Sequence, residues 1–270
     1  GSGVFAQEKY TAAIKQAEPV FSSATDIVKD QGGKAVLFFD HTKRFDLNIF
    51  AEFFKNCENV EKVNCYALDI SGAEKSVVND FFKSSKEKTR IYKAPSVEEA
   101  PVIAFIKNGK TAGSISRNGY FAALSPVYLD YLAGQYDEKR LAEMIDAAEK
   151  GENYKKIVPR MNFVLMLAKK GETDAASKEL DKVDTAQLDD KGKLLLGQTY
   201  LRLNAPEKAL NIFSKCEDST DCTFYSGVAE LMQGNNENAQ KIFESLKGKY
   251  QDTKSLNYYL DKIKEGSNAR

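Results

Sequence analysis

The chain has a single histidine, only four cysteines, and no excess charge of either sign, with 39 Lys and Arg against 39 Asp and Glu. One histidine argues against a Cys/His metal site, and neither a metal nor a cofactor is expected. Balanced charge removes any general attraction to nucleic acid or to an anionic lipid surface. Long apolar runs are missing as well. The longest, around Val102–Ile106, falls far short of the roughly 20 residues needed to span a bilayer. It reads as a buried strand, and no membrane insertion is expected. What the chain does have is 42% hydrophobic residues over 270 positions, enough for two packed domains.

The cysteines fall into two local pairs, Cys57 with Cys65 and Cys216 with Cys222. Neither spacing suits a compact zinc clip. The pairs read as two short-range disulfides, each within its own domain; the competing reading is four reduced, buried thiols in a cytosolic protein. Gly1-Ser2 reads as an expression scar, and Val4-Phe5-Ala6 before Gln7 has the small-x-Ala look of a signal-peptidase site. With the disulfides, this places the protein in the periplasm or among secreted proteins. Asp218 and Asp221, between the second pair, suit an exposed turn and lack the ligand count and glycine of a calcium loop.

Along the chain, residues 7–29 read as a helix stopped by Gln31-Gly32-Gly33. Lys34–Asp40 (KAVLFFD) is a continuous apolar run, the pattern of a strand buried on both faces. A helix over Leu47–Phe54, a strand over Val63–Asp69 and a helix from Val77 follow. Ala100–Ile106 (APVIAFI) then turns at Lys107-Asn108-Gly109-Lys110 into Thr111–Ser116; Asn-Gly between two apolar strands is a strong hairpin signal. A helix near Glu138–Ala148 closes the region.

This order resembles the thioredoxin family, and Glu99–Lys110 (EAPVIAFIKNGK) resembles that family's cis-proline strand and hairpin. The resemblance implies an α/β thioredoxin-like domain over 7–150, with a cis Ala100–Pro101 bond. Redox members carry Cys-x-x-Cys after the first core strand, where a helix N-terminus activates the thiol. Here Lys43-Arg44-Phe45-Asp46 stands in that place, and no cysteine lies between residues 32 and 56. Exchange at the usual site is chemically impossible. Asp46 reads as support for the helix start. His41 reads as a loop or capping residue, since no nucleophile accompanies it. Extra chain at Arg117–Gln135 carries Tyr120, Phe121, Leu124, Tyr128, Tyr131 and Leu132. It reads either as a helix covering the sheet or as a binding surface, with Tyr120 and Tyr128 as its candidates.

From Met161 onward self-similarity replaces strand signals. Gly197, Tyr200, Asn204, Ala209, Phe213 and Cys216 are followed 30 residues later by Gly227, Glu230, Gly234, Ala239, Phe243 and Leu246. Val164, Leu167, Gly171, Ala176, Leu180 and Val183 form a weaker earlier copy. Small residues let paired helices approach while aromatics fill the gap. The pattern resembles TPR repeats, which implies an all-α helical-hairpin array over 151–266, capped by a helix from Ser255 to Lys264.

A thioredoxin-like domain without its motif, fused to TPR-like repeats, resembles the chaperedoxin family, whose members bind unfolded or partner proteins. The expected function is a non-enzymatic protein-binding module, chaperone-like or scaffolding, with a protein or peptide as partner. The candidate lining of its groove is Asn162, Gln198, Arg202, Tyr225 and Glu230, with the linker Lys150–Pro159 as an alternative occupant. The second reading is an oxidoreductase partner that uses Cys57 or Cys222 as an unconventional thiol.

Overall fold

A computed structural model describes the backbone of residues 3–268 and the side chains of residues 8–266. Gly1-Ser2 and the side chains of Val4-Phe5-Ala6 lie outside the described residues. The chain divides into two units, Gly1–Glu149 and Lys150–Arg270. The first is a mixed α/β sheet region and the second is all helical.

In order, the first unit holds α1 (Gly3–Lys15), β1 (Glu18–Pro19), β2 (Gly33–Phe39), α2 (Arg44–Glu58), β3 (Val63–Asp69) and α3 (Lys75–Phe82). It continues with β4 (Ile91–Lys93), β5 (Val102–Lys107), β6 (Lys110–Ile115), α4 (Phe121–Leu132) and the start of α5 (Glu138–Lys169). The six strands form one sheet in the order β1-β4-β3-β2-β5-β6. β2 runs parallel to β3 and antiparallel to β5. Its apolar run is continuous because both faces are covered. Ala35, Leu37 and Phe39 pack on one side with α2, α3, α4 and Leu141, while Val36 and Phe38 pack on the other with Tyr10, Ala13 and Ile14 of α1. The Ala100–Pro101 bond, directly ahead of β5, is cis.

The structure decides three sequence expectations here. The helix expected over 7–29 ends at Lys15, and Glu18–Pro19 pairs instead with β4. Pro19 explains the stop, because the residue before a proline is pushed out of the α region. Val20 and Ile27 still reach the core, from irregular chain. The loop before β2 is held by Lys34, whose ammonium donates to Ile27 O at 2.8 Å and Asp30 O at 3.0 Å; burial lowers its pKa. Second, the extra segment is α4, a helix laid on the sheet with Leu124, Tyr128, Leu129 and Leu132 buried. Third, Lys150–Pro159 is not a linker. It lies inside α5, which runs through Pro159 to Lys169. A proline there removes one helix hydrogen bond, but Ile157, Met161 and Val164 on the same helix are buried in the helical core.

The second unit continues with α6 (Thr173–Asp181), α7 (Asp190–Arg202), α8 (Pro206–Phe213), α9 (Thr220–Met232), α10 (Asn236–Ser245) and α11 (Thr253–Asn268). Three-residue turns separate α7 from α8 and α9 from α10. Gly171, Asn204 and Gly234 sit at corresponding turns, all with left-handed φ, +84°, +56° and +80°. Glycine adopts this conformation freely and asparagine tolerates it. A Cβ on Gly197 would overlap the Phe213 ring, and one on Gly227 would lie 2.7 Å from the Phe243 ring. The recurring glycine and phenylalanine are thus one contact made twice, 30 residues apart.

Candidate functional site

The parallel strands β2 and β3 end side by side, with Phe39 opposite Asp69. Beyond β2 the chain turns through Asp40, His41 and Thr42 into α2. Asp40 Oδ1 accepts from the Thr42 backbone N–H at 2.9 Å and from its hydroxyl at 2.6 Å. His41 and Asp69 are buried, at 5% and 1% exposure, with Nδ1 and Oδ2 2.5 Å apart. An ionised carboxylate only accepts, so Nδ1 carries the shared hydrogen. Asp69 Oδ1 accepts the Ser71 N–H at 2.8 Å. Phe81, 51% exposed, lies against the imidazole with ring centroids 4.9 Å apart.

His41 lies in the loop, as the sequence suggests, but it is not the cap of α2; it is half of a buried hydrogen-bonded pair. The pair links residues 28 apart, and its one signal in the sequence is that an Asp closes each of two apolar strand runs. Asp46 lies in the first turn of α2, where the sequence puts it, and makes a contact outside the helix. It is the third residue of α2, buried, and its Oδ2 reaches back to accept the Asp40 N–H at 2.8 Å. Burial raises its pKa, opposed by that hydrogen bond and by Lys43. The N-terminal end of α2 is filled by the protein's own carboxylate.

Asp40, His41 and Asp69 also bring three metal-capable atoms within 4.8 Å of one another. Two ligands of one zinc ion, at bonds of about 2.0 Å and tetrahedral angles, stand about 3.3 Å apart. The 2.5 Å between Nδ1 and Oδ2 is hydrogen-bond geometry instead.

The groove residues fare unevenly. Asn162 on α5 and Arg202 at the end of α7 are exposed, and Gln198, four residues before Arg202, is half-buried. That spacing puts Gln198 and Arg202 on one face of α7. Tyr225 gives its ring to packing, 6.3 Å from Phe213 and 5.2 Å from Phe224 between ring centroids. Glu230 accepts from Asn235 Nδ2 at 2.7 Å, a local bond at the end of α9. Tyr120 is half-buried just before α4 and packs on the sheet's core. Tyr128 is not on a binding surface at all. It is 7% exposed, stacked on Phe105 with centroids 4.5 Å apart, and fits against Gly113, where a Cβ would lie 2.5 Å from its ring. An aromatic on a helix that covers a sheet goes to the core because burying it removes 150–250 Å² from water.

All four cysteines are paired: Cys57 with Cys65, joining the end of α2 to β3, and Cys216 with Cys222, joining the α8–α9 link to α9. Such bonds persist in oxidising compartments. Among the described residues no helix is long and apolar enough to cross a membrane. No protein-family model matches this chain, and neither does any curated protein sequence.

Proposed function

We propose that this protein is a non-enzymatic protein-binding module, chaperone-like or scaffolding, built from a thioredoxin-like domain without its redox motif and a TPR-like array. It would work in an oxidising exported compartment, periplasmic or secreted. One observation carries the reading: the start of α2, where a redox thiol would be activated, holds Asp46 bonded to the Asp40 N–H, with Lys43 ahead of it. The strand order, with Pro101 at the head of β5, supports the thioredoxin-like assignment. The recurring Gly–Phe contact and left-handed turns support the TPR-like one.

The lost chemistry is testable by restoring it. Lys43→Cys with Asp46→Cys is expected to reduce insulin disulfides at least about tenfold faster than the unaltered chain, because a thiol at a helix N-terminus is activated. An unaltered chain as fast as the double variant would end the redox-dead reading.

Binding is tested separately. The unaltered chain is expected to lower light scattering from a thermally unfolding client protein at equimolar ratio. Arg202→Glu with Gln198→Ala should remove at least half of that protection while stability changes by less than about 0.5 kcal/mol, as surface substitutions do. Protection that survives these changes and disappears in Tyr120→Ala would move the binding face to the sheet-covering segment.

A further inference from the structure

The two disulfides occupy opposite electrostatic settings. Cys57 is the penultimate residue of α2, and Cys65 lies in β3 at 5% exposure. A helix C-terminus presents carbonyl oxygens, which disfavour a thiolate. Cys222 is the third residue of α9, behind the N-cap Ser219, whose Oγ accepts the Cys222 N–H at 3.1 Å. There the dipole of the first turn favours a thiolate. Burial is unequal too. Cys222 is 2% exposed, whereas Cys216 is half-buried, and both border a cavity of about 370 Å³ that Ser214, Asp218, Thr223 and Ser226 also line. Cys216 is thus the more open of the two residues to an approaching reagent, and Cys222 is the one in the first turn of a helix.

Beyond the loss of the redox motif in the sheet unit, we propose that Cys216–Cys222 in the helical unit is a bridge that exchanges, once per chain and without turnover, with a neutral or cationic thiol or dithiol. The incoming thiolate bonds to Cys216 Sγ. The S–S bond breaks, and its electron pair leaves on Cys222 Sγ, which takes a proton from solvent. A second thiol group then attacks the mixed disulfide and frees Cys216, so that two electrons pass from two thiols to the bridge. A leaving thiol of lower pKa departs faster, which makes Cys222 the better leaving group.

The charges around the loop set the class of thiol. Glu217, Asp218 and Asp221 lie in or beside it, and the Asp190 carboxylate accepts the Glu217 and Asp218 N–H groups at 2.8 Å each. On the other side stand Lys215 and Lys193, whose ammonium is already donated to Lys215 O at 3.0 Å. Carboxylates outnumber cations here and repel anionic thiols. The two Asp190 bonds and the Ser219 cap do not depend on the sulfur bridge, so they keep the loop in place after reduction.

The experiment uses the full native chain, exposed to cysteamine or to 2-mercaptoethanesulfonate at equal thiolate concentration. Samples are quenched with N-ethylmaleimide and mapped by non-reducing peptide mass spectrometry. Cys216–Cys222 is expected to open at least about tenfold faster than Cys57–Cys65, with the first adduct on Cys216 and cysteamine the faster reagent. Helical circular dichroism is expected to persist in the opened form. Equal opening of the two bridges, prior opening of Cys57–Cys65, a first adduct on Cys222, or no opening without denaturant would overturn the site. Equal rates with the two reagents would overturn the assigned class of thiol.

Discussion

Asp69→Ala is expected to lower the stability of the sheet unit by about 3–5 kcal/mol, the usual cost of removing one member of a buried polar pair. Its carboxylate is 1% exposed and accepts both His41 Nδ1 and the Ser71 N–H. Truncation leaves two donors facing a methyl group inside the fold, and each lost partner costs about 1–3 kcal/mol in desolvation. The His41→Ala variant separates the pair from the loop. The double variant His41→Ala/Asp69→Ala is expected to be more stable than the sum of the two single losses predicts, since the first change already breaks the bond. Urea denaturation of the four proteins measures this. Strict additivity, or a loss under about 1 kcal/mol for Asp69→Ala, would reduce the pair to an incidental contact.

The second large effect is expected at Gly197, in the middle of α7. Gly197→Val should lower the stability of the helical unit by about 3 kcal/mol, through overpacking against a ring that has little room to move. Phe213 is 3% exposed, among Leu196, Tyr200, Ala209 and Ile212. Phe213→Ala alone should cost about 3–5 kcal/mol by leaving a cavity. Combining the two should recover at least about 1 kcal/mol relative to additivity, because the valine fills part of that space. Gly151→Ala is the control. It lies in α5 with nothing within 4 Å of its added Cβ, so alanine should stabilise by up to about 1 kcal/mol through helix propensity. Hydrogen exchange over residues 150–268 reads these changes in the right unit. A Gly197→Val variant as stable as the unaltered chain would show that this contact does not hold the hairpin.

The elements most legible in the sequence are those whose physics is local. KAVLFFD and APVIAFI are continuous apolar runs, and both became central strands buried on two faces. Lys107-Asn108-Gly109-Lys110 became the β5–β6 turn, with Asn108 and Gly109 both at positive φ. The cysteine pairs were readable because each joins residues eight or six apart.

Less legible was everything that depends on which distant surface a residue meets. Pro159 looks like a break, yet α5 passes through it because buried side chains follow on the same helix. Tyr128 reads either as a core or as a surface aromatic until α4 is laid on Phe105. Asp46 looks like a helix-start residue, and its partner turns out to lie six residues back.

By itself, then, the sequence determined the four strands β2, β3, β5 and β6 but not β1 or β4, together with the absence of a thiol at the start of α2, the spacing of the helical pairs and the two local cysteine pairs. These follow from backbone periodicity, from residue identity and from short loops, none of which needs a third dimension. Only the tertiary structure decided that His41 and Asp69 meet, that Tyr128 belongs to the core, and that Cys222 is buried at a helix N-terminus while Cys216 stays half-buried. Each of these depends on which surfaces pack together, because burial and charge stabilisation belong to a place in the fold rather than to a residue type.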